Sequence, residues 1–128
     1  MHEEMLETTL KPLGCDLPYL GAGFGPDLNV AVKADGNKSR VDLIDPEWLE
    51  GIGEVLKFGA IKYADHNWRK GFKYSRLIGA CLRHLLAIMR REDIDPESGL
   101  PHVNHLSCSV MFLAWHLRHK KELDDRWK

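Results

Sequence analysis

Between residues 83 and 105 the chain reads RHLLAIMRREDIDPESGLPHVNH. This stretch gathers His84, Glu92, Asp93, Asp95, Glu97, His102 and His105 around one short polar loop between two apolar runs. Reversing the direction of a helical hairpin requires only a turn and caps. So many side chains able to bind metal or move protons exceed that structural need. His102 and His105 stand one helical turn apart, so both imidazoles can face one ion, and the acidic loop brings Glu92, Asp95 or Glu97 within reach. Mixed imidazole and carboxylate ligation suits a divalent ion such as Mn²⁺, Co²⁺, Fe²⁺ or Zn²⁺ better than an oxygen-only Mg²⁺ site. The structural alternative is that the carboxylates solubilise a loop while the histidines hydrogen-bond at a helix start.

His84 borders an apolar arc, where a single histidine more often serves the core. In an antiparallel hairpin it is expected about two turns from the loop, meeting Ser109 rather than the ion, and it is the weaker metal candidate. A second constellation is basic and aromatic. It comprises Lys33, Lys38 and Arg40, then Lys62, Tyr63, Asn67, Trp68, Arg69 and Lys70. Cations of this kind hold a polyphosphate, Trp68 or Tyr63 can stack on a base, and Asn67 can read a base edge. A solvated surface with one anchoring Trp is the plainer account. Glu47, Glu50 and Glu54 share a helix stripe, which fits either metal binding or a solvated face.

The elements that must position these groups are helical. Residues 1 to about 40 hold Gly14, Pro18, Gly21, Gly23, Gly25, Pro26 and Gly36, and read as an irregular N-terminal arm with a possible extended segment at Leu28–Val32. Residues 41–128 read as the helical domain of what is one domain overall. Asp45 as N-cap, Pro46 and Glu47 announce a first helix, with Trp48, Ile52, Val55 and Gly59 on its apolar face. The segment Ala64–Lys73 reads as a loop. A second helix is expected over Ser75–Arg91, capped by Ser75, with a seam of Leu77, Cys81, Leu85 and Ile88 widened by Ile78, Leu82 and Met89. Arg76, Arg83 and Arg90 form a basic stripe opposite. Pro96, Gly99 and Pro101 interrupt any helix in the acidic loop. A third helix runs from about His102 to Lys121, with an apolar face of Val103, Leu106, Val110, Leu113 and Leu117 and a fraying charged tail. The class is all-α, with the second and third helices as an antiparallel hairpin.

The totals set outer bounds. A formal net charge of −1 gives no bulk attraction to nucleic acid or membrane. Cys15, Cys81 and Cys108 are odd in number and lack CxxC spacing, which reads as buried thiols in a reducing cytosol. The N-terminal residues show no secretory pattern, and no apolar run approaches the roughly 20 residues of a membrane span. A cytoplasmic location is expected.

Four segments, KADGNKSRVDLIDPEWL, FGAIKYADHNW, RLIGACLRHLLA and REDIDPESGLPHVNH, occur in the order seen in the phage and bacterial dATP/dGTP diphosphohydrolase (MazZ-type) family, which residues 31 to 118 resemble. The resemblance implies a MazG-like all-α fold and hydrolysis of dGTP, and of dATP as a second substrate, to monophosphate and pyrophosphate. It also implies a role in phage synthesis of DNA containing 2-aminoadenine. The wider MazG pattern has ExxE on one helix and ExxD on the next. Here Glu47-x-x-Glu50 and Glu92-x-x-Asp95 carry those letters, but the second pair sits in the Pro- and Gly-bounded loop and the interval is too long. The ligand assignment therefore rests on local chemistry.

Glu92, Asp95, His102 and His105, with His84 behind them, are expected to hold a divalent metal (Mg, Mn or Co) and its water. Lys38, Arg40, Lys62 and Arg83 are expected on phosphates, and Tyr63, Asn67 and Trp68 on the base. A short helical chain does not easily enclose a purine nucleotide alone, so a homodimer or homotetramer is expected. The rivals are an HD-class triphosphohydrolase, which needs a His-Asp dipeptide absent here, and a non-enzymatic helical interaction module built on a structural metal.

Overall fold

The structure, a computed structural model, describes residues 29–128. Most of the expected N-terminal arm, and Cys15 with it, lies outside the described residues. Residues 29–43 belong to one compact unit and residues 44–128 form another. In the first, Val41–Leu43 makes a single 3₁₀ turn, and the Arg40 guanidinium donates to both oxygens of Asp42 at 3.0 and 2.9 Å.

The second unit is helical: α1 (Pro46–Lys62), α2 (Tyr74–Met89) and α3 (His102–His119), with 3₁₀ turns at Asn67–Lys70 and Lys121–Leu123. Among the described residues there is no strand, so the class is all-α as expected. α1 starts where its cap predicts. The Asp45 carboxylate accepts from the Glu47 and Trp48 amides, and Pro46 occupies the first turn, where a missing N–H costs nothing. α3 is the central helix, with both others packed along it. His84 meets His102 near the loop and Tyr74 meets His116 at the far end, so α2 and α3 are antiparallel.

α1 approaches α3 closely because Gly51 has no side chain. A methyl group there would lie 2.7 Å from the Asn104 amide, an overlap that costs about 1–3 kcal/mol if the neighbour cannot retreat. Ile52, Val55 and Cys108 form the buried core beside this crossing, with Leu56, Leu100, Met111 and Phe112 packed against them. Trp48, expected on the same face, stays half-exposed and donates its indole N–H to Ser107 at 2.9 Å.

Three sequence expectations are corrected here. Ser75 does not cap α2, which starts one residue earlier with no side-chain cap from Lys73. Its cap comes instead from the tail: the Asp125 carboxylate accepts from the Ser75 amide at 2.8 Å and from the Ser75 hydroxyl. The tail is therefore engaged rather than frayed. Leu82, Leu85 and Met89, assigned to the α2 seam, are 54%, 52% and 73% exposed. Among the described residues α2 packs mainly against α3, which leaves part of this broad arc uncovered.

Candidate functional site

α2 ends in a Schellman arrangement. The Glu92 amide returns to the Ala87 carbonyl and the Arg91 amide to Ile88, both at 2.9 Å, with Arg91 at φ +67°. A non-glycine residue in that region costs about 1 kcal/mol or more, and the turn it makes aims the chain back toward α3. The acidic loop then closes on itself. Asp95 N–H donates to the Leu100 carbonyl, Gly99 N–H to Asp95 and His102 N–H to Asp93, each at 2.8 Å. Gly99 takes φ +73°, a conformation that favours glycine. Asp95 Oδ1 accepts from Glu97 N–H at 2.9 Å, and Ser98 Oγ from Leu100 N–H at 3.1 Å. These bonds leave Asp95 Oδ2 facing the helices, 3.7 Å from His105 Nε2.

His84 reaches this point from α2, and the expected contact with Ser109 gives way to one with His102. Their Nδ1 atoms lie 2.9 Å apart. Ligand atoms of His84, Asp95 and His102 all fall within 4.8 Å of one another. His105 stacks on His84, ring centroids 5.0 Å apart and nearly parallel, but its Nε2 is bound to Ser98 Oγ at 2.6 Å. The two imidazoles that converge thus come from different helices, not from one turn of α3.

The donor set fits a divalent ion on one observation in particular. His102 is buried, and its Nε2 has no hydrogen-bond partner; the nearest carboxylate oxygen, on Glu92, is 3.5 Å away. A buried polar atom without a partner is costly. A histidine that ligates through one nitrogen commonly gives its other N–H to a carboxylate, the role open to Glu92. Burial, aided by repulsion from its neighbours, lowers the pKa of His84, and burial lowers that of His105 against the pull of Asp95. Both rings are therefore kept neutral, the form that offers a lone pair.

His84, Asp95 and His105 contribute to the lining of a cleft of about 800 Å³. That volume is in the range of small-molecule sites. Phe58, Tyr63, Asn67, Trp68, Phe72 and Phe112 line it further along. Lys62 and Glu97 also line it, paired with each other through a salt bridge, so the expected phosphate cation already has a carboxylate partner. Trp68 stacks on Phe112 with centroids 4.9 Å apart, and the Arg69 guanidinium lies over its ring at 4.7 Å. Trp68 thus buttresses the wall. Arg83 lines an adjoining cavity of about 570 Å³ with Arg76. Lys38 and Arg40 belong to the N-terminal unit. Glu47, Glu50 and Glu54 are exposed on α1.

A family model described as "dATP/dGTP diphosphohydrolase, N-terminal" matches residues 29–126. The chain belongs to this family. The resemblance carried by the four segments is thereby borne out. A protein of Salmonella phage PMBT28 named dATP/dGTP diphosphohydrolase is 39% identical over 95 residues, covering 74% of this chain. Those residues cover 32% of that relative, so the chain spans about a third of its length. No solved structure matches. Within the dATP/dGTP diphosphohydrolase family match fall all the cleft residues, and so do two features next to the cleft that residue spacing did not reveal: the His84–His102 contact between helices, and Ser98 behind His105. The only local hint of the latter was DPESG, a sequence rich in side chains that bond their own backbone.

Proposed function

We propose that the cleft hydrolyses purine deoxynucleoside triphosphates, dGTP and also dATP, to the monophosphate and pyrophosphate. The observation that carries this reading is the convergence of His84, Asp95 and His102, two of which, His84 and Asp95, line an aromatic cleft of nucleotide size. The name of the phage relative supports the substrate class. His84, Asp95 and His102 would hold a divalent ion (Mg, Mn or Co), with Glu92 orienting His102. Such an ion supplies charge neutralisation for the phosphates and a water that is nucleophilic near neutral pH.

The chain's own residues do the rest. Hydrolysis forms a bond from water oxygen to the α-phosphorus and breaks the bond to the bridging oxygen, which leaves with pyrophosphate. His105, neutral and fixed in the wall, lies where a hydrogen bond to a phosphate oxygen or to water is useful. Lys62 exchanges Glu97 for the phosphate tail, and Arg83 with Arg76 offers positive charge next to it. Tyr63, Phe72 and Phe112 provide apolar surface for the purine, and Asn67 provides an amide for its edge.

Leu82, Leu85, Leu86 and Met89 of α2 are exposed apolar side chains, as are Val103, Val110 and Leu117 of α3. Each such side chain gains about 1.5–3 kcal/mol when fully buried, which favours a homodimer or homotetramer. Among the described residues no helix is long and apolar enough to cross a membrane. The reading places the reaction in the cytoplasm, of an infected host where the chain is viral, in the service of modified-purine DNA synthesis. The test is incubation of the purified chain with each dNTP and Mg²⁺, Mn²⁺ or Co²⁺, with products separated by anion exchange. Monophosphate with pyrophosphate, abolished by His102→Ala or Asp95→Ala, is the expected result. Nucleoside with tripolyphosphate would overturn it.

A further inference from the structure

We propose that Ser98 is a positioning residue for His105, fixing both the direction of its ring and the nitrogen that carries its proton. Its catalytic consequence rests on the reading of the cleft given above; its geometric content does not.

Three observations meet at this serine. Its Oγ lies 2.6 Å from His105 Nε2, a short contact between a hydroxyl and an imidazole. The same Oγ accepts the Leu100 amide at 3.1 Å, so the loop backbone, rather than solvent, sets where the hydroxyl stands. Gly99, at φ +73°, joins the two residues of that bond, and the loop is closed again by the Ile94–Pro101 bridge. In the proposed arrangement the Leu100 N–H takes one Ser98 lone pair and the single hydroxyl proton is given to Nε2. His105 is then a neutral imidazole whose proton sits on Nδ1.

Two consequences follow. Nε2 is taken by Ser98 and is not offered to an ion held by His84, Asp95 and His102. The ring is also held parallel to His84, since a rotation about its χ angles would break the bond to Ser98. Ser98 is not a nucleophile in this arrangement: His105 and Asp95 line the cleft, and Ser98 does not. It acts only through the histidine in front of it.

The experiment has two arms. In the first, ¹⁵N-histidine-labelled, metal-free protein is examined by long-range ¹H–¹⁵N correlation. Wild type is expected to show one tautomer of His105, protonated at Nδ1. Ser98→Ala is expected to show averaging between tautomers, and Ser98→Thr, which keeps a hydroxyl, to restore the single form. Unchanged spectra in Ser98→Ala would overturn the proposal. In the second arm, dNTP hydrolysis by Ser98→Ala should fall about 10–100-fold in kcat, in the manner of outer partners elsewhere, with KM and Mn²⁺ affinity changed less than about twofold. A loss appearing only in KM or in ion affinity would overturn the positioning role. If wild type itself hydrolyses no dNTP, the functional reading fails, and the spectra alone decide whether Ser98 sets His105. Should Ser98→Ala not fold, Ser98→Thr against Ser98→Cys gives the same comparison.

Discussion

The two ends of α3 each bury a histidine, and the two are satisfied in opposite ways. His116, 0% exposed, receives the Phe72 amide on Nε2 at 2.9 Å, gives Nδ1–H to the Phe112 carbonyl at 2.7 Å and lends its own carbonyl to the Tyr74 hydroxyl. Every polar atom has a partner, so the ring serves as a joint between the start of α2 and the end of α3. His102, 7% exposed, faces another imidazole on one side and has no partner on the other. Residue type, helix and burial are the same. What separates the two is whether their nitrogens are already spoken for.

Substitution breaks the comparison most directly. His116→Ala orphans the Phe72 amide and opens a cavity, at a cost of about 3 kcal/mol or more. For a domain of this size that lowers Tm by on the order of 12 °C, measurable in a thermal melt. His102→Ala should destabilise the metal-free protein less than His116→Ala, because one unpartnered nitrogen disappears with it. It should, however, abolish the rise in Tm on adding Mn²⁺ that wild type and any folded His116 variant show. Equal destabilisation by both changes, with the Mn²⁺ response retained, would erase the distinction.

A milder change sharpens it. Glu92→Gln keeps the shape near His102 Nε2 but weakens the acceptor, so ion affinity should fall about 10–100-fold, as for other outer carboxylates, with little change in Tm. Isothermal titration with Mn²⁺ reads this directly.

The smallest effect is in pH. The folded-state pKa values of His84 and His105 lie below their unfolded value of 6.5. The unfolded chain therefore takes up protons first as pH falls. The stability linked to these rings is fully present above about pH 6.5 and is lost as pH drops through their folded values. Urea midpoints of metal-free protein should decline over that window, and the decline should flatten in a His84→Gln/His105→Gln double variant.

How much of this was legible beforehand follows from the range of each interaction. The start of α1 was readable because Asp45 caps amides two and three residues away. The three helices were readable from periodicity and residue type. The His84–His102 contact was not, because it depends on how far α2 and α3 slide past each other, and an error of about two turns sends His84 to Ser109 instead. Ser98 escaped notice because its bond to His105 exists only once Leu100 and Gly99 have closed the loop. The apolar arc of α2 was seen in full, but amphipathicity does not say which part of an arc meets a neighbour within the chain.

The carboxylate that caps the start of α2 has a practical meaning. Asp125 is fifty residues away from the amide it caps, so the first turn of that helix is completed by chain that comes after all three helices. A domain boundary drawn behind Leu123 would look harmless on a helix map, yet it would amputate the cap of a helix that begins at residue 74. Amide exchange at Ser75, Arg76 and Leu77 would quicken first. Fusion partners or excisions in this family are best placed beyond that aspartate.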